Sequence, residues 1–155
     1  MVLITRGKEI VPEVLKDLVA FEREHGSGGF DKWMLPVFSN FGLLYVMRKG
    51  GDLVGTAQLM RVWERPDAIC VAGIAVRKDR RGEGLGTLLM SHILKDLKRD
   101  GFNEVRLTVS PENTAAMKIY CDKMGFKKRA MEKDFYGEGE DRLVLVKQLK
   151  EVTGE

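Results

Sequence analysis

The chain has 155 residues and a formal net charge of +3, and 32% of its residues are charged, with acids and bases interspersed. This length predicts one domain, residues 1–150, with a short C-terminal tail at residues 151–155. The balanced charge argues against a nucleic-acid-binding surface. No apolar run approaches the roughly 18 residues of a membrane span, and the N-terminus lacks a signal-peptide pattern, so we expect a cytoplasmic protein.

The first half of the chain alternates strand and helix patterns. A short strand over 2–6 is followed by a helix that begins near Pro12 and ends near His25. A glycine-rich loop then leads into a predicted helix over 30–39. The sequence next predicts three strands, over 42–48, 53–63 and 68–76, separated by turns at 49–52 and 65–67.

The second half continues with helices and strands in alternation. Apolar residues at helical spacing predict a helix from Leu85 to about Asp100. A strand over 105–109 and a helix capped by Asn113 follow, and the chain ends with two strands over 127–136 and 142–149. These elements predict a single mixed α/β domain.

The two cysteines, Cys70 and Cys121, do not have the spacing of metal ligands. Both lie within apolar patterns, so we expect small buried residues rather than a disulfide in a reducing compartment. The sequence therefore predicts no metal site.

The most informative segment joins the apolar strand 68–76 to the helix that begins at Leu85. Glycines at 82, 84 and 86 follow Arg81. Because glycines permit a tight turn and a helix N-terminus presents unpaired N–H groups, this order predicts a site for a phosphate or pyrophosphate. The spacing matches neither a Walker loop nor a dinucleotide fingerprint.

Two motifs resemble signatures of the GNAT N-acetyltransferase superfamily. The segment Arg81-x-x-Gly84-x-Gly86 resembles its acyl-CoA pyrophosphate loop, and Asn113-x-x-Ala116-x-x-x-Tyr120-x-x-x-Gly125-Phe126 resembles its second signature. Their order and separation match the family. The resemblance implies a single-domain α/β fold with a mixed central sheet of six to seven strands, helices on both faces and a splayed central strand pair.

The resemblance also implies acetyl-CoA as the acetyl donor. Main-chain groups of the central strand would pair with the pantetheine chain, and the glycine loop would bind the pyrophosphate. The residues implied are Ile74, Ala75, Val76, Arg81, Gly82, Glu83, Gly84, Leu85, Gly86, Thr87, Asn113, Ala116 and Tyr120. Three interpretations stay open. Asn113 either contacts the donor or only caps its helix, and Gly73 either forms a bulge or permits close packing. The basic cluster 127–129 either contacts the 3′-phosphate of CoA or is an exposed strand start.

The implied reaction is acetyl transfer to a primary amine. Tyr120 matches the family tyrosine that protonates the departing sulfur as general acid, although its place in an apolar helical stripe also suits simple packing. Many relatives carry a glutamate where this chain has Ala72. We therefore consider Glu64 as the base, with Asp67, His25 and a water relay as alternatives.

In the family the acceptor lies between the first two helices and the final hairpin, which here suggests Phe30, Trp33, Phe135 and Tyr136 as acceptor contacts. The hairpin partly resembles that of N-terminal peptide acetyltransferases of the ribosomal-protein type. Its acidic residues 138, 140 and 141 suit a cationic amine or simply solubility. Peptide or protein amines are favoured, while small-molecule amines, a non-catalytic acyl-CoA sensor and a nucleic-acid-binding domain are the alternatives. The resemblance allows a homodimer.

Overall fold

The computed structural model describes residues 1–8 and 10–150 of the chain. The predicted tail at 151–155 lies outside the described residues. The strands are β1 Val2–Gly7, β2 Leu43–Lys49, β3 Asp52–Val62, β4 Arg65–Val76, β5 Glu104–Val109, β6 Lys127–Glu132 and β7 Arg142–Gln148. The helices are α1 Pro12–His25, α2 Met34–Phe41, α3 Leu85–Arg99 and α4 Thr114–Met117, which continues as a π-helical segment, Lys118–Lys123. The seven strands form one sheet in the order β1-β2-β3-β4-β5-β7-β6, which confirms the predicted mixed α/β fold.

The second helix begins later than the sequence predicts. We expected it over 30–39, but α2 starts at Met34. The Asp31 carboxylate accepts the backbone N–H groups of Trp33 and Met34, each at 3.0 Å, and so satisfies donors that a helix start leaves unpaired. Phe30 therefore belongs to the loop before the helix.

The final strand pair is also shorter than predicted. The strand expected over 127–136 ends at Glu132, because Asp134 adopts a left-handed conformation with φ 54°. The Asp134 carboxylate accepts the N–H of Gly139 at 2.8 Å, and its own N–H donates to the Asp141 carboxylate at 2.9 Å. These contacts close a loop that contains Phe135 and Tyr136.

The predicted turn at 65–67 is wrong, because β4 already begins at Arg65. Pro66 is tolerated near the start of a strand, where a missing ladder hydrogen bond costs little. The Asp67 carbonyl accepts the N–H of Asn103 at 2.8 Å, which joins the start of β4 to the start of β5.

The chain forms two compact units, and the first comprises Met1–Met60 and Val71–His92. Its strands β1, β2 and β3 pair antiparallel. Helices cover both faces: Thr56 bonds Glu22 of α1, whereas a Cβ on the neighbouring Gly55 would lie 3.4 Å from Leu89 of α3. Four buried residues form a core cluster under α1 and α2: Leu18, Leu35, Leu44 and Val46.

The second unit comprises Arg61–Cys70 and the described chain from Ile93 onward. Strands β5, β7 and β6 pair antiparallel. Glu104 at the start of β5 is fully buried, and it accepts hydrogen bonds from three arginines and one glutamine: Arg65, Arg106, Arg129 and Gln148. Burial alone would raise the pKa of Glu104, but the bonds from Arg106, Gln148 and Arg129 outweigh it and hold that pKa below its ordinary value.

Within the described residues, the longest helices are too short or too polar to cross a membrane.

Candidate functional site

The glycine loop has the backbone geometry of an anion-binding turn. Gly82 and Gly84 have φ values of 91° and 76°, a conformation that residues with a Cβ rarely adopt. The Gly84 carbonyl accepts the N–H of Leu88 at 3.0 Å, so α3 begins directly after it. The N–H groups of the first helical turn therefore lack intrahelical partners and point out of the helix end. Gly86 is less constrained, since a Cβ there would meet only Val76 Cγ2, at 3.6 Å.

Ion pairs engage most charged residues around this loop. Lys49 at the end of β2 donates to Glu83 at 2.7 Å, and Arg80 pairs with Asp52 at 3.2 Å. The Lys49 ammonium lowers the pKa of Glu83. Arg81 is exposed, and the described residues provide it with no ion-pair partner. Its guanidinium is therefore free to meet an anion at the helix N-terminus.

The C-terminal half of β4 presents the main-chain segment that the sequence assigns to pantetheine. Ala75 is buried, whereas Ile74 and Val76 are partly exposed. At Gly73 a Cβ would lie 2.5 Å from Phe30 Cε2 and 2.6 Å from Gln58 Oε1. The glycine is therefore required for close packing, which was one of the two interpretations of Gly73.

A buried polar cluster beside this strand was missed by the sequence analysis. Glu22 of α1 is 2% exposed, and its Oε1 accepts both the Thr56 hydroxyl and the Gln58 amide nitrogen, the latter at 2.7 Å. The only sequence signal is two polar residues spaced by two within the otherwise apolar stretch 53–60 of β3. That spacing places both on the face covered by α1.

Tyr120 lies in the π-helical segment after α4, within the second unit. Its ring packs edge-on against Phe126, with centroids 5.8 Å apart. Burial raises the pKa of the Tyr120 phenol, so the group stays protonated at neutral pH. Within the described residues the hydroxyl has no hydrogen-bond partner and is available as a donor. Single π-helical turns inside α-helices often mark functional positions.

Asn113 caps α4, because its side-chain oxygen accepts the N–H of Ala116 at 3.1 Å. This contact gives Asn113 a structural role as a helix cap. The proposed contact of Asn113 with the donor stays a prediction, and its amide nitrogen is the group still available for it.

The three side chains considered as the general base differ in their exposure and hydrogen bonds. Glu64 is exposed in the turn between β3 and β4. Asp67 accepts the Asn103 amide at 3.0 Å and pairs with Arg65, and these contacts lower its pKa and make it a weaker base. His25 Nδ1 accepts the N–H of Lys78 at 3.1 Å, which ties α1 to the segment before the glycine loop. The role of Glu64 as base stays a prediction.

The predicted acceptor residues are largely exposed aromatics. Phe30 packs edge-on against Phe38 at 5.4 Å, and Trp33 is 71% exposed with Lys32 over its ring. In the second unit, Phe135 and Tyr136 contact each other at 4.7 Å between centroids. Phe30 is therefore partly a core residue, and the other three are exposed, so their contact with an acceptor stays a prediction.

Cavities lie near several of the residues singled out by the sequence. One of about 610 Å³ is lined by α1, the β2–β3 turn and residues 77–79 before the glycine loop. Another of about 440 Å³ is lined by the basic cluster 127–129 with Gly125, Val146 and Gln148. Across the described residues, no group of three or more His, Cys, Asp or Glu side chains is arranged to hold a metal ion.

The model of the acetyltransferase (GNAT) family matches residues 11–126. The chain belongs to the GNAT acetyltransferase family. This match covers the glycine loop, α4 and Tyr120, and the GNAT fold implied by the two motifs is thereby confirmed.

Individual relatives of this GNAT chain differ in their acceptors. An L-2,4-diaminobutyric acid acetyltransferase of Methylotuvimicrobium alcaliphilum is 34% identical over 53% of this chain and 48% of its own length. An N-alpha-acetyltransferase of Saccharolobus solfataricus is 34% identical over 51% of this chain and 47% of its own length. The chain thus spans about half the length of these curated relatives. The crystal structure of the ribosomal-protein-S18-alanine N-acetyltransferase from Escherichia coli matches 100% of this chain and 97% of its own, with TM-score 0.81 and 21% identity, which shows the shared fold.

Proposed function

We propose that this GNAT protein is an acetyl-CoA-dependent N-acetyltransferase that acts on a primary amine. The observation that carries the proposal is the glycine loop, whose left-handed Gly82 and Gly84 open the N-terminus of α3 beside the unpaired Arg81. A helix N-terminus with a positive charge beside it favours a phosphate or pyrophosphate. The family match supports the same donor.

Three segments of the chain are proposed to bind acetyl-CoA. The N–H groups from Gly82 to Thr87 would bind the pyrophosphate, with Arg81 adding charge. Among them, the N–H of Glu83 also donates to the Arg80 carbonyl at 3.4 Å. Main-chain groups of residues 74–76 would pair with the pantetheine chain as an added strand does. Asn113 and Ala116 at the start of α4 would complete the contacts. When bound, acetyl-CoA supplies the activated thioester, and the chain's own residues orient it.

Two proton-handling roles are proposed for side chains. Tyr120 would donate its phenolic proton to the departing sulfur, a role that is supported by a hydroxyl that stays protonated at neutral pH and has no partner among the described residues. A lysine-like amine, with an ordinary pKa of about 10.4, arrives charged at neutral pH and must lose a proton first. Glu64 is the proposed acceptor of that proton, with transfer through water.

We favour a peptide or protein amine as the acceptor. The exposed aromatic residues Trp33, Phe135 and Tyr136 offer apolar contact area for side chains that follow an N-terminus. The relative named as an N-alpha-acetyltransferase supports this choice. A small-molecule amine is the second candidate, and the relative named for diaminobutyric acid favours it.

Thiol release from acetyl-CoA tests both choices in one assay. The panel contains peptides with different N-termini, lysine peptides, polyamines, free amino acids and aminoglycosides. Release with peptides alone supports the favoured acceptor, and release with small amines alone supports the second candidate. If acetyl-CoA binds but no amine releases thiol, the enzyme proposal fails and an acyl-CoA sensor replaces it.

A further inference from the structure

The carbonyl oxygen of Gln58 is buried without a hydrogen-bond partner. Gln58 lies on β3 and is 1% exposed, and its amide nitrogen donates to Glu22 Oε1 at 2.7 Å. Because a carboxylate oxygen accepts and does not donate, Glu22 determines which end of the amide faces it. The other end, Oε1 of Gln58, accepts no hydrogen bond from any described residue. A buried acceptor in this state is costly, which suits a donor that is not part of the chain.

This free oxygen lies against β4 at Gly73. A Cβ on Gly73 would be only 2.6 Å from it, so the oxygen occupies space that only a glycine leaves open. Gly73 directly precedes residues 74–76, the main-chain segment proposed to pair with the pantetheine chain. Because the loop proposed to bind the pyrophosphate follows residue 76, the thioester end of acetyl-CoA would lie toward Gly73. A donor bound to Gln58 Oε1 would therefore sit next to the position from which an amine must attack.

The charge of Glu22 suits a cationic donor. Glu22 is 2% exposed, and among the described residues it has no lysine, arginine or histidine partner. Its hydrogen bonds come from two neutral groups, Thr56 and Gln58. A buried carboxylate without a cation is unfavourable, and a cation nearby offsets part of that cost. A primary amine arriving as an ammonium ion brings both the positive charge and the N–H donors.

We propose that Gln58 binds the acceptor amine through Oε1, and that Glu22 is the positioning residue that orients the amide and supplies the negative charge. This inference rests on the proposed acetyltransferase function and adds an acceptor-binding residue to it. Phe30 also packs against Gly73, 2.5 Å from the Cβ position, and it follows Gly28 and Gly29 in the loop before α2. The amine reaches Gln58 when this ring moves aside, so acceptor binding is coupled to the Phe30 loop.

The kinetic test compares Gln58→Met and Glu22→Gln with Glu24→Gln. Met keeps the length of Gln without its polar atoms, and Glu24 is an acid on the same helix whose side chain is 75% exposed. A short peptide with an N-terminal alanine is the first acceptor, followed by any amine that the panel identifies. We expect Gln58→Met to raise the acceptor KM about 10- to 100-fold, the range for a lost hydrogen bond to a charged group, and Glu22→Gln to raise it severalfold. The acetyl-CoA Kd and the Glu24→Gln kinetics should change less than about twofold.

A second measurement needs no turnover and no stable variant. In CoA-bound wild-type protein labelled with nitrogen-15, we expect the side-chain amide resonance of Gln58 to shift when the acceptor amine is added. An unmoved resonance at saturating amine, or an unchanged acceptor KM in folded Gln58→Met, would overturn this inference while leaving the enzyme proposal intact. A wild type that acetylates no amine instead contradicts the proposed function itself.

Discussion

The Lys49 ammonium lies 2.7 Å from the Glu83 carboxylate, within the loop proposed to bind a pyrophosphate. Glu83 stands between Gly82 and Gly84, so a negative charge occupies the middle of the proposed anion site. Lys49, at the end of β2, neutralises it. The pair therefore sets the net charge that an incoming phosphate meets.

We expect opposite effects from removing the two charges. Lys49→Gln should weaken acetyl-CoA binding about twofold to fivefold because it leaves Glu83 uncompensated, and Glu83→Gln should strengthen binding by a similar factor. Titration calorimetry at two salt concentrations measures both, and the differences should shrink at high salt. Equal effects of the same sign would contradict this role for the pair.

Substituting a left-handed glycine should affect folding stability at any such position, but acetyl-CoA binding only within the glycine loop. Gly84→Ala and Gly101→Ala both place a Cβ at positive φ, 76° and 91°, and neither Cβ meets another atom within 4 Å. Each should cost about 1 kcal/mol of folding stability from backbone strain alone. Only Gly84→Ala should also reduce the increase in Tm produced by acetyl-CoA, because only that strain displaces the N–H groups of the loop.

The double variant Arg81→Glu/Gly84→Glu is a stronger test of donor binding at the glycine loop than Gly84→Ala. The two new carboxylates oppose a pyrophosphate directly, and the expected result is no increase in Tm on adding acetyl-CoA. Stabilisation equal to that of the wild type would show that the donor binds elsewhere.

The elements that could be predicted from sequence are those specified by local patterns. The glycines before Leu85 indicate a turn, and α3 starts directly after it. Apolar residues at helical spacing then predict the length of α3. The end of β6 follows instead from Asp134, whose carboxylate bonds Gly139 five residues away. Phe135 and Tyr136, which favour strands, follow that point, so residue type alone extends the strand too far.

The polar cluster around Glu22 depends on contacts that periodicity does not encode. Glu22 meets Thr56 and Gln58 across 34 and 36 residues of sequence. A glutamate near a helix end usually indicates a solvated position, and only the packing of α1 on β3 reveals that this one is buried. The start of α2 was predicted too early, although a local signal marks it: the Asp31 carboxylate accepts the N–H of Met34 three residues later, as a capping residue does.

The buried Glu104 predicts unequal effects of its arginine partners. The Arg106 side chain is 27% exposed and Arg65 is 44% exposed, so solvent screens the Arg65 contact more. We expect Arg106→Met to lower the free energy of unfolding by about 1.5–3 kcal/mol and Arg65→Met by less than about 1 kcal/mol. Urea denaturation of both variants measures the difference, and a larger loss for Arg65→Met would contradict it.

Glu104 also predicts a pH dependence of stability. Because its pKa in the folded protein lies below the ordinary value of 4.5, it stabilises the fold above that pH, and the contribution is lost as the pH falls through the folded pKa. Glu104→Gln should therefore be less stable at neutral pH and lose less stability on acidification below about pH 4.5 than the wild type. The exposed Glu112→Gln is the matched control, and its acid unfolding curve should follow that of the wild type.

Tyr120→Phe separates chemistry from binding. The phenol makes no hydrogen bond to a described residue, and its ring contact with Phe126 is retained by phenylalanine, so stability should change by less than about 0.5 kcal/mol. Loss of a general acid should lower kcat about 100-fold or more while the acetyl-CoA Kd stays within about twofold. Tyr45→Phe is the control: it removes a hydroxyl that accepts from Arg6 at 3.1 Å, and it should lower Tm without a comparable loss of kcat. If Tyr120→Phe turns over at the wild-type rate, the tyrosine serves only to pack, and the sulfur takes its proton from solvent.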